Sequence, residues 1–414
     1  MDARIIVPAR AAGNPRDSGY AWLRLAVSVL LATVGSVGMW SVVVALPAVQ
    51  AEFGVSRGDA SLPYTLTTIG YACGGILTGR LADRFGVALP LVGGAVTLAA
   101  GYLASAAATD LWQFALAQGL LVGGGCSAMF GPLIADISHW FSRRRGIAVA
   151  ICASGSYLAG AIWPPIVQHL ITTEGWRRTH VHVGLFCLVA LLALALALRR
   201  RPPMLPASGT QAPATSATLA LRPNLLMIVL SIAGFACCVA MSMPQVHIVA
   251  YCGDLGYGVA RGAEMLSVML GCGIVSRIAS GWIADRVGGL ATLLLGSVLQ
   301  VTALTLYLAF DGLSSLFVIS GLFGLFQGGI VPSYAIIVRE YFSPQEAGGH
   351  LGIVLMATLF GMAAGGWMSG VIFDRTGSYQ AAFANGVLWN LLNITIAVWL
   401  LLRRDRSSRQ LAAA

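Results

Sequence analysis

The chain has 414 residues, of which 57% are hydrophobic and only 10% charged, and its mean hydropathy is +0.80. That is too apolar for a water-soluble domain of this length and places the chain in a lipid bilayer. The net charge of +9 comes from 25 Arg, with no Lys, against 16 acidic residues. These Arg sit between or beyond the apolar runs, which is a topology signal and argues against nucleic acid as a partner.

Residues 1–21 carry Arg4, Arg10 and Arg16 and read as a cytoplasmic N-terminal tail. The apolar run that follows is longer than a secretory core of roughly 7 to 15 residues, so it reads as a retained first membrane helix. A spanning helix needs about 20 mainly apolar residues. Twelve such runs occur, at 22–48, 60–79, 88–108, 111–135, 146–168, 179–198, 223–250, 262–284, 290–310, 314–338, 350–372 and 379–402. An even number puts both termini on one side. Nineteen Arg fall on that side, five opposite and Arg277 within a span, so both termini are expected in the cytoplasm. The fold class is therefore all-α integral membrane, with six helices over 22–198, a Pro-rich cytoplasmic linker over 199–222, six more over 223–402, and a cytoplasmic tail at 403–414. The eight Cys lie in no metal-binding or disulfide spacing and read as small packing residues.

The two six-helix stretches are copies. GRLADRFG at 79–86 returns as GWIADRVG at 281–288, which sets Asp83 and Asp285 202 residues apart. Pro132 and Pro332 are 200 apart, and the pairs Trp140-Phe141 and Tyr341-Phe342 are 201 apart. One offset fits all three landmarks, as an internal repeat requires. The repeated prolines predict paired helix bends. Glycines within the fifth span (Gly155, Gly160) and the eleventh (Gly361, Gly365, Gly366) permit close helix approach and are expected where the two copies move against each other.

The GRLADRFG stretch, its weaker copy and the twelve spans in two parallel halves together resemble the major facilitator superfamily. WFSRRRGIA (140–148), EGWR (174–177), HIVAYCGDLG (247–256), SRIASGWIADR (276–286) and FDRTGSYQAAF (373–383) are similar to its monocarboxylate and oxalate-formate branch. The resemblance implies transport by alternating access, with proton co-transport or anion exchange. It also implies a conformational latch in which Asp83 pairs with Arg and a helix terminus of the opposite half. Gly79, Arg84, Gly86, Asp285, Arg286 and the triplet Arg143, Arg144 and Arg145 are the residues carried over to that latch. Val87 and Ala88 stand where the family has basic residues, which weakens a charge relay through the first loop. Arg277 occupies the position of the family's substrate-binding Arg, and Asp254 that of a carboxylate linked to it. The absence of Lys removes the second cation of a dicarboxylate site.

On physical grounds Arg277 is the strongest candidate. A charge well inside a span costs at least ~2.5 kcal/mol and needs a partner or a water-filled cavity, and a guanidinium fork matches a carboxylate. Tyr334, Gln327, Phe130, Tyr157 and Tyr64 lie at depths suited to a substrate cavity, though each is also an ordinary packing residue. Phe130 stands where relatives often carry Tyr, hinting at a more apolar substrate body. His247 and Asp254 are candidates for coupling or gating, and Asp136 for an ion pair with Arg143 to Arg145. No nucleotide loop, metal cluster or nucleophile-base arrangement is present, so no enzyme, metal or cofactor is expected. The sequence thus points to a secondary active transporter of a small organic anion, a monocarboxylate, in a bacterial inner membrane, with protons or a counter-anion as co-substrate. The competing readings are an amphipath efflux carrier of the same fold and a non-transporting membrane sensor.

Overall fold

A backbone in hydrocarbon has no water to satisfy its N–H and C=O groups, so apolar runs of this length must become helices. The computed structural model describes residues 17–199, 221–343 and 346–413, and among these every regular element is helical. The long helices are α1 (Gly19–Phe53), α2 (Leu62–Phe85), α3 (Ala88–Ala107), α4 (Leu111–Trp140), α5 (Arg145–Glu174) and α6 (Trp176–Ala197), then α7 (Pro223–Asp254), α8 (Val259–Val287), α9 (Gly289–Ala309), α10 (Leu313–Tyr341), α11 (Ala347–Thr376) and α12 (Tyr379–Ala413). Eleven of them are long and apolar enough to cross a membrane. The exception is α2, whose 24 residues include four Thr, four Gly and two Tyr. Its small and polar side chains pack on neighbouring helices. Lipid faces are supplied elsewhere by residues such as Leu120, Val189 and Val318, all more than 60% exposed. The Pro-rich linker expected over 199–222 lies mostly outside the described residues, as does most of the N-terminal tail.

The repeat is visible in backbone detail. Gly86 and Gly288 both end their helices at φ +86°, a conformation that favours glycine. The GRLADRFG copies themselves are helical: α2 runs through Phe85 and α8 through Val287, so Asp83 and Asp285 lie in last turns and not in loops. Gly79 is an interior helical residue with open space around it, and of the two glycines of the motif only Gly86 forms the turn. The bends occur where proline chemistry puts them. Pro132 and Pro332 cannot donate to the carbonyls four residues earlier, and the helices break at 128–130 and at Gly328-Gly329. A Cβ on Gly123 would overlap the Thr67 carbonyl, and one on Gly324 the Met269 carbonyl, so α4 rests on α2 as α10 rests on α8. An offset of 201 to 202 relates these contacts too.

Helices α1–α6 pack chiefly with one another, as do α7–α12, and the two halves meet along α5 with α8, α2 with α11, and the second part of α1 with α7. Of the predicted sliding glycines, Gly160 (against Leu270) and Gly366 (against Tyr64) lie between halves. Gly155, Gly361 and Gly365 pack within one half. Hydrogen bonds that cross between halves cluster at two places: the short helix Arg57–Ala60 with neighbouring Thr65, and the crossing of Arg277 over Ala153.

One buried pair corrects the sequence reading. Asp136 binds not Arg143 to Arg145, which are exposed, but Arg24. The Arg24 side chain, counted above among loop charges, is fully buried within α1. Its Nε and Nη2 donate to both Asp136 carboxylate oxygens at 2.7 and 2.8 Å, and Nη2 also donates to the Leu198 carbonyl. Arg277 is therefore not the only basic residue set into a helix bundle. Removing one partner of such a pair leaves an uncompensated charge at a cost of about 3–5 kcal/mol, whereas replacing both with apolar groups is far milder. Asp136→Ala should accordingly lower the thermal unfolding midpoint of the purified protein by several degrees, and Arg24→Met with Asp136→Leu should recover most of it; equal losses in both would contradict this account.

Candidate functional site

Helix α8 carries Arg277 one turn after Gly273, and that glycine decides what stands beside the guanidinium. A Cβ at Gly273 would overlap the ring of Tyr157, so its absence lets the α5 aromatic lie against α8. The Arg277 guanidinium then sits over the Tyr157 ring at 4.3 Å from its centroid, a cation–π contact spanning the two halves. One amino group donates to the Ala153 carbonyl at 3.1 Å. Nε is buried with no partner, and among the described residues no carboxylate pairs with this side chain. A guanidinium in such a setting has half of its fork unsatisfied, and a carboxylate is the group whose geometry completes it. Tyr71 of α2 lies within electrostatic reach of Arg277, and its ring centroid is 6.4 Å from that of Phe130, at the break in α4. Arg277, Tyr157 and Phe130 were singled out from the sequence. Tyr71 was not, although Tyr64 of the same span was: nothing in the sequence sets its ring apart from a packing aromatic.

A second cluster closes the opposite end of the bundle. Arg57 is 8% exposed. Its guanidinium donates to the Tyr379 hydroxyl at 2.6 Å, pairs with Asp254 at 3.1 Å, and lies over the Phe373 ring at 4.9 Å. The Asp374 carboxylate accepts from the backbone N–H groups of Arg57 and Gly58 at 2.8 and 2.7 Å, capping the start of the short helix from across the interface. Gly58 and Gly370 allow this approach: a Cβ on Gly370 would stand 2.7 Å from the Arg57 carbonyl. His247, fully buried, continues the cluster inward. Its Nδ1 meets the Tyr379 hydroxyl at 3.3 Å and its Nε2 the Gly366 carbonyl at 2.8 Å. Because the carbonyl can only accept, Nε2 carries the proton. The Tyr379 hydroxyl accepts from Arg57 and is the second hydrogen-bond partner of the imidazole.

This arrangement corrects the expected link between Asp254 and Arg277. Asp254 ends α7 and binds Arg57, whereas Arg277 lies 18 residues into the next helix, about 27 Å along its axis from Val259. Tyr334 is fully buried among α7, α10 and α12 and donates to Asn393 at 2.9 Å, so its hydroxyl is engaged within one half. Tyr64 packs on Gly366 between the halves, its buried hydroxyl without a well-formed hydrogen bond. Gln327 is fully buried and accepts from Gln245. Asp83, Arg84, Asp285, Arg286 and Arg143 to Arg145 are exposed, and among the described residues neither aspartate forms an ion pair. Arg57, Asp374 and Tyr379 were missed as a site because a loop Arg reads as solvated. The signal lay in FDRTGSYQAAF, which contains two of the three.

Comparisons with known proteins bear on the family and the fold. The chain matches the family model described as Major Facilitator Superfamily over residues 28–315 and 276–414. It is 28% identical over 383 residues to monocarboxylate transporter 13 of Bos taurus, covering 89% of this chain and 87% of that one. It is 27% identical over 321 residues to the agnestins efflux protein of Paecilomyces divaricatus, covering 77% and 73%. Among solved structures, the nucleoside transporter NupG superposes with a TM-score of 0.73 at 14% identity, covering 92% of this chain and 99% of that one. A bacterial homolog of the human lysosomal transporter Spinster, in an inward-facing and occupied conformation, gives 0.68 at 14% identity over 95% and 97%. The chain is a multi-pass membrane protein that belongs to the major facilitator superfamily.

Proposed function

We propose that this transporter moves small monocarboxylate anions by alternating access, with the substrate carboxylate received by Arg277. The observation that carries the proposal is the buried, unpartnered Nε of Arg277 at the place where α5 and α8 cross between the halves. Paired with a carboxylate, the guanidinium loses its desolvation penalty, while Tyr157, Phe130 and Tyr71 supply apolar walls for the substrate body. With both termini cytoplasmic and α2 as the twelfth span, the Arg57 cluster lies on the outer face of a plasma membrane, the inner membrane in a bacterium. The conformation described here is then closed outward. In the opposite state the exposed Asp83, Arg84, Asp285, Arg286 and Arg143 to Arg145 come together as the latch. Asp254 is the carboxylate that neutralises the Arg57 clamp, so loss of its charge would weaken that clamp, and a positive charge on His247 would oppose Arg57. This is how a proton could open the outer end. Exchange of one anion for another needs neither group to titrate.

A second reading, efflux of a larger amphipathic organic acid, is favoured by the aromatic walls around Arg277 and by the likeness to an efflux protein. Uptake into liposomes separates the two. Radiolabelled monocarboxylates should enter, faster with an inward proton gradient for symport or only against internal anion for exchange, and Arg277→Ala should reduce the flux at least a hundredfold. Arg277→Lys should restore only a fraction, because an ammonium cannot make the two-point contact. Undiminished flux in well-inserted Arg277→Ala would exclude this site.

The clamp makes its own prediction. In Arg57→Ala, hydrogen exchange should speed up in segments 55–62 and 370–379 and slow down around 79–86, as the outer end opens and the other closes. Exchange unchanged in all three segments would mean that Arg57 does not hold the halves.

A further inference from the structure

Two buried amides meet between α7 and α10, and their hydrogen bonding does not close. Gln245 of α7 and Gln327 of α10 are 2% and 0% exposed, and Gln245 Nε2 donates to Gln327 Oε1 at 3.1 Å. Gln245 Oε1 and Gln327 Nε2 have no partner. Exchanging O and N in both amides gives the same outcome, one bond between the two side chains and one donor plus one acceptor left over. Leaving two such groups dry is costly, and apolar side chains would fill the space without that cost.

The pair is placed to be read by substrate. Gln327 ends the first part of α10, immediately before the Gly328-Gly329 break. A Cβ on Gly328 would overlap the carbonyl of Gly273, and one on Gly329 the side chain of Ser280. Gln327 is thereby held at the level of Gly273, four residues or about 6 Å along α8 from Arg277 and toward the Arg57 end. Gly273 is also the residue against which Tyr157 lies, so the layer that ends at the amides begins at the proposed anion site.

We infer that Gln245 and Gln327 form a second subsite, which takes a neutral hydroxyl of the substrate some 5 Å from its carboxylate; this rests on Arg277 being the carboxylate site. A hydroxyl can donate once to Gln245 Oε1 and accept once from Gln327 Nε2, displacing any water that bridges them. The preferred substrates are then short monocarboxylates hydroxylated away from the carboxyl carbon. A substrate lacking the hydroxyl leaves both amides unpaired, which is the situation in which polar sites discriminate most strongly.

The test is uptake of radiolabelled 4-hydroxybutyrate and butyrate by the full chain in liposomes. The hydroxyl of 4-hydroxybutyrate lies about 5 Å from the carboxyl carbon in the extended chain. Wild-type protein should favour 4-hydroxybutyrate at least tenfold in the ratio of maximal rate to KM. Gln327→Leu and Gln245→Leu should each abolish that preference, slowing 4-hydroxybutyrate about tenfold relative to butyrate measured in the same variant. Should either Leu variant fail to insert, Gln327→Asn and Gln245→Asn, shorter by one methylene, should show the same loss of preference. Arg277-dependent butyrate uptake with no preference for the hydroxyl, or a preference that survives in the variants, would overturn this subsite and leave the anion site standing. Absence of carboxylate flux in the wild type would remove both.

Discussion

The guanidinium of Arg277 is held inside an apolar bundle by one carbonyl and one aromatic face, with no carboxylate to balance it. A membrane protein tolerates such a charge only where something completes it, and much of the surrounding architecture serves to keep the place open. Gly273 removes the side chain that would push Tyr157 away. Pro332 breaks α10 so that Gly328 and Gly329 can press on α8 from behind. The Ala153 carbonyl that accepts the one hydrogen bond belongs to the opposite half, so the cation itself stands at the seam along which the halves would move. A ligand completing the fork would bind both halves at once, and this couples occupancy to their relative position.

The two ends of the seam are built from different chemistry. At the Arg57 end a nearly buried guanidinium, a hydroxyl, two carboxylates and two facing glycines interlock. At the Asp83 end the charges are as numerous but exposed. Asp83 and Asp285 sit in last helical turns, where the macrodipole disfavours an anion and a neighbouring Arg offsets it only in part. Such carboxylates gain from finding N–H groups or cations across the seam. An Asp374-type cap already shows that gain at the other end, where a carboxylate from α11 satisfies the start of a helix from the opposite half. The proposed alternation between the two sets would need no new chemistry, only a rocking of the halves about the α5–α8 crossing.

Most of the fold could be read from the sequence, because its signals are periodic or covalent. Apolar runs marked the long helices, and the offset of about 200 residues fixed the repeat down to Gly86 and Gly288. The prolines marked the breaks, since the missing N–H acts on a carbonyl exactly one turn away. Single side chains were harder. Arg277 stood out because a charge in an apolar run has few explanations, and Tyr157 and Phe130 followed from their depth. Arg24 and Arg57 were misjudged for one shared reason: each lies near a helix end, where a sequence cannot tell a solvated charge from one folded back under a neighbouring helix. Asp136 went to Arg24 and not to the nearer Arg143 because packing, and not sequence distance, sets buried pairs. Gln245 drew no notice, because only coordinates reveal which amide atoms lack partners.

The central claim, a carboxylate completing the Arg277 fork, is tested most directly by equilibrium binding apart from transport. Purified protein in lipid nanodiscs should bind a radiolabelled monocarboxylate saturably, and Arg277→Gln, a shorter side chain that stays polar but carries no charge, should weaken that binding at least tenfold while its thermal unfolding stays near that of wild type. Binding of equal strength to Arg277→Gln would place the carboxylate elsewhere and contradict the account.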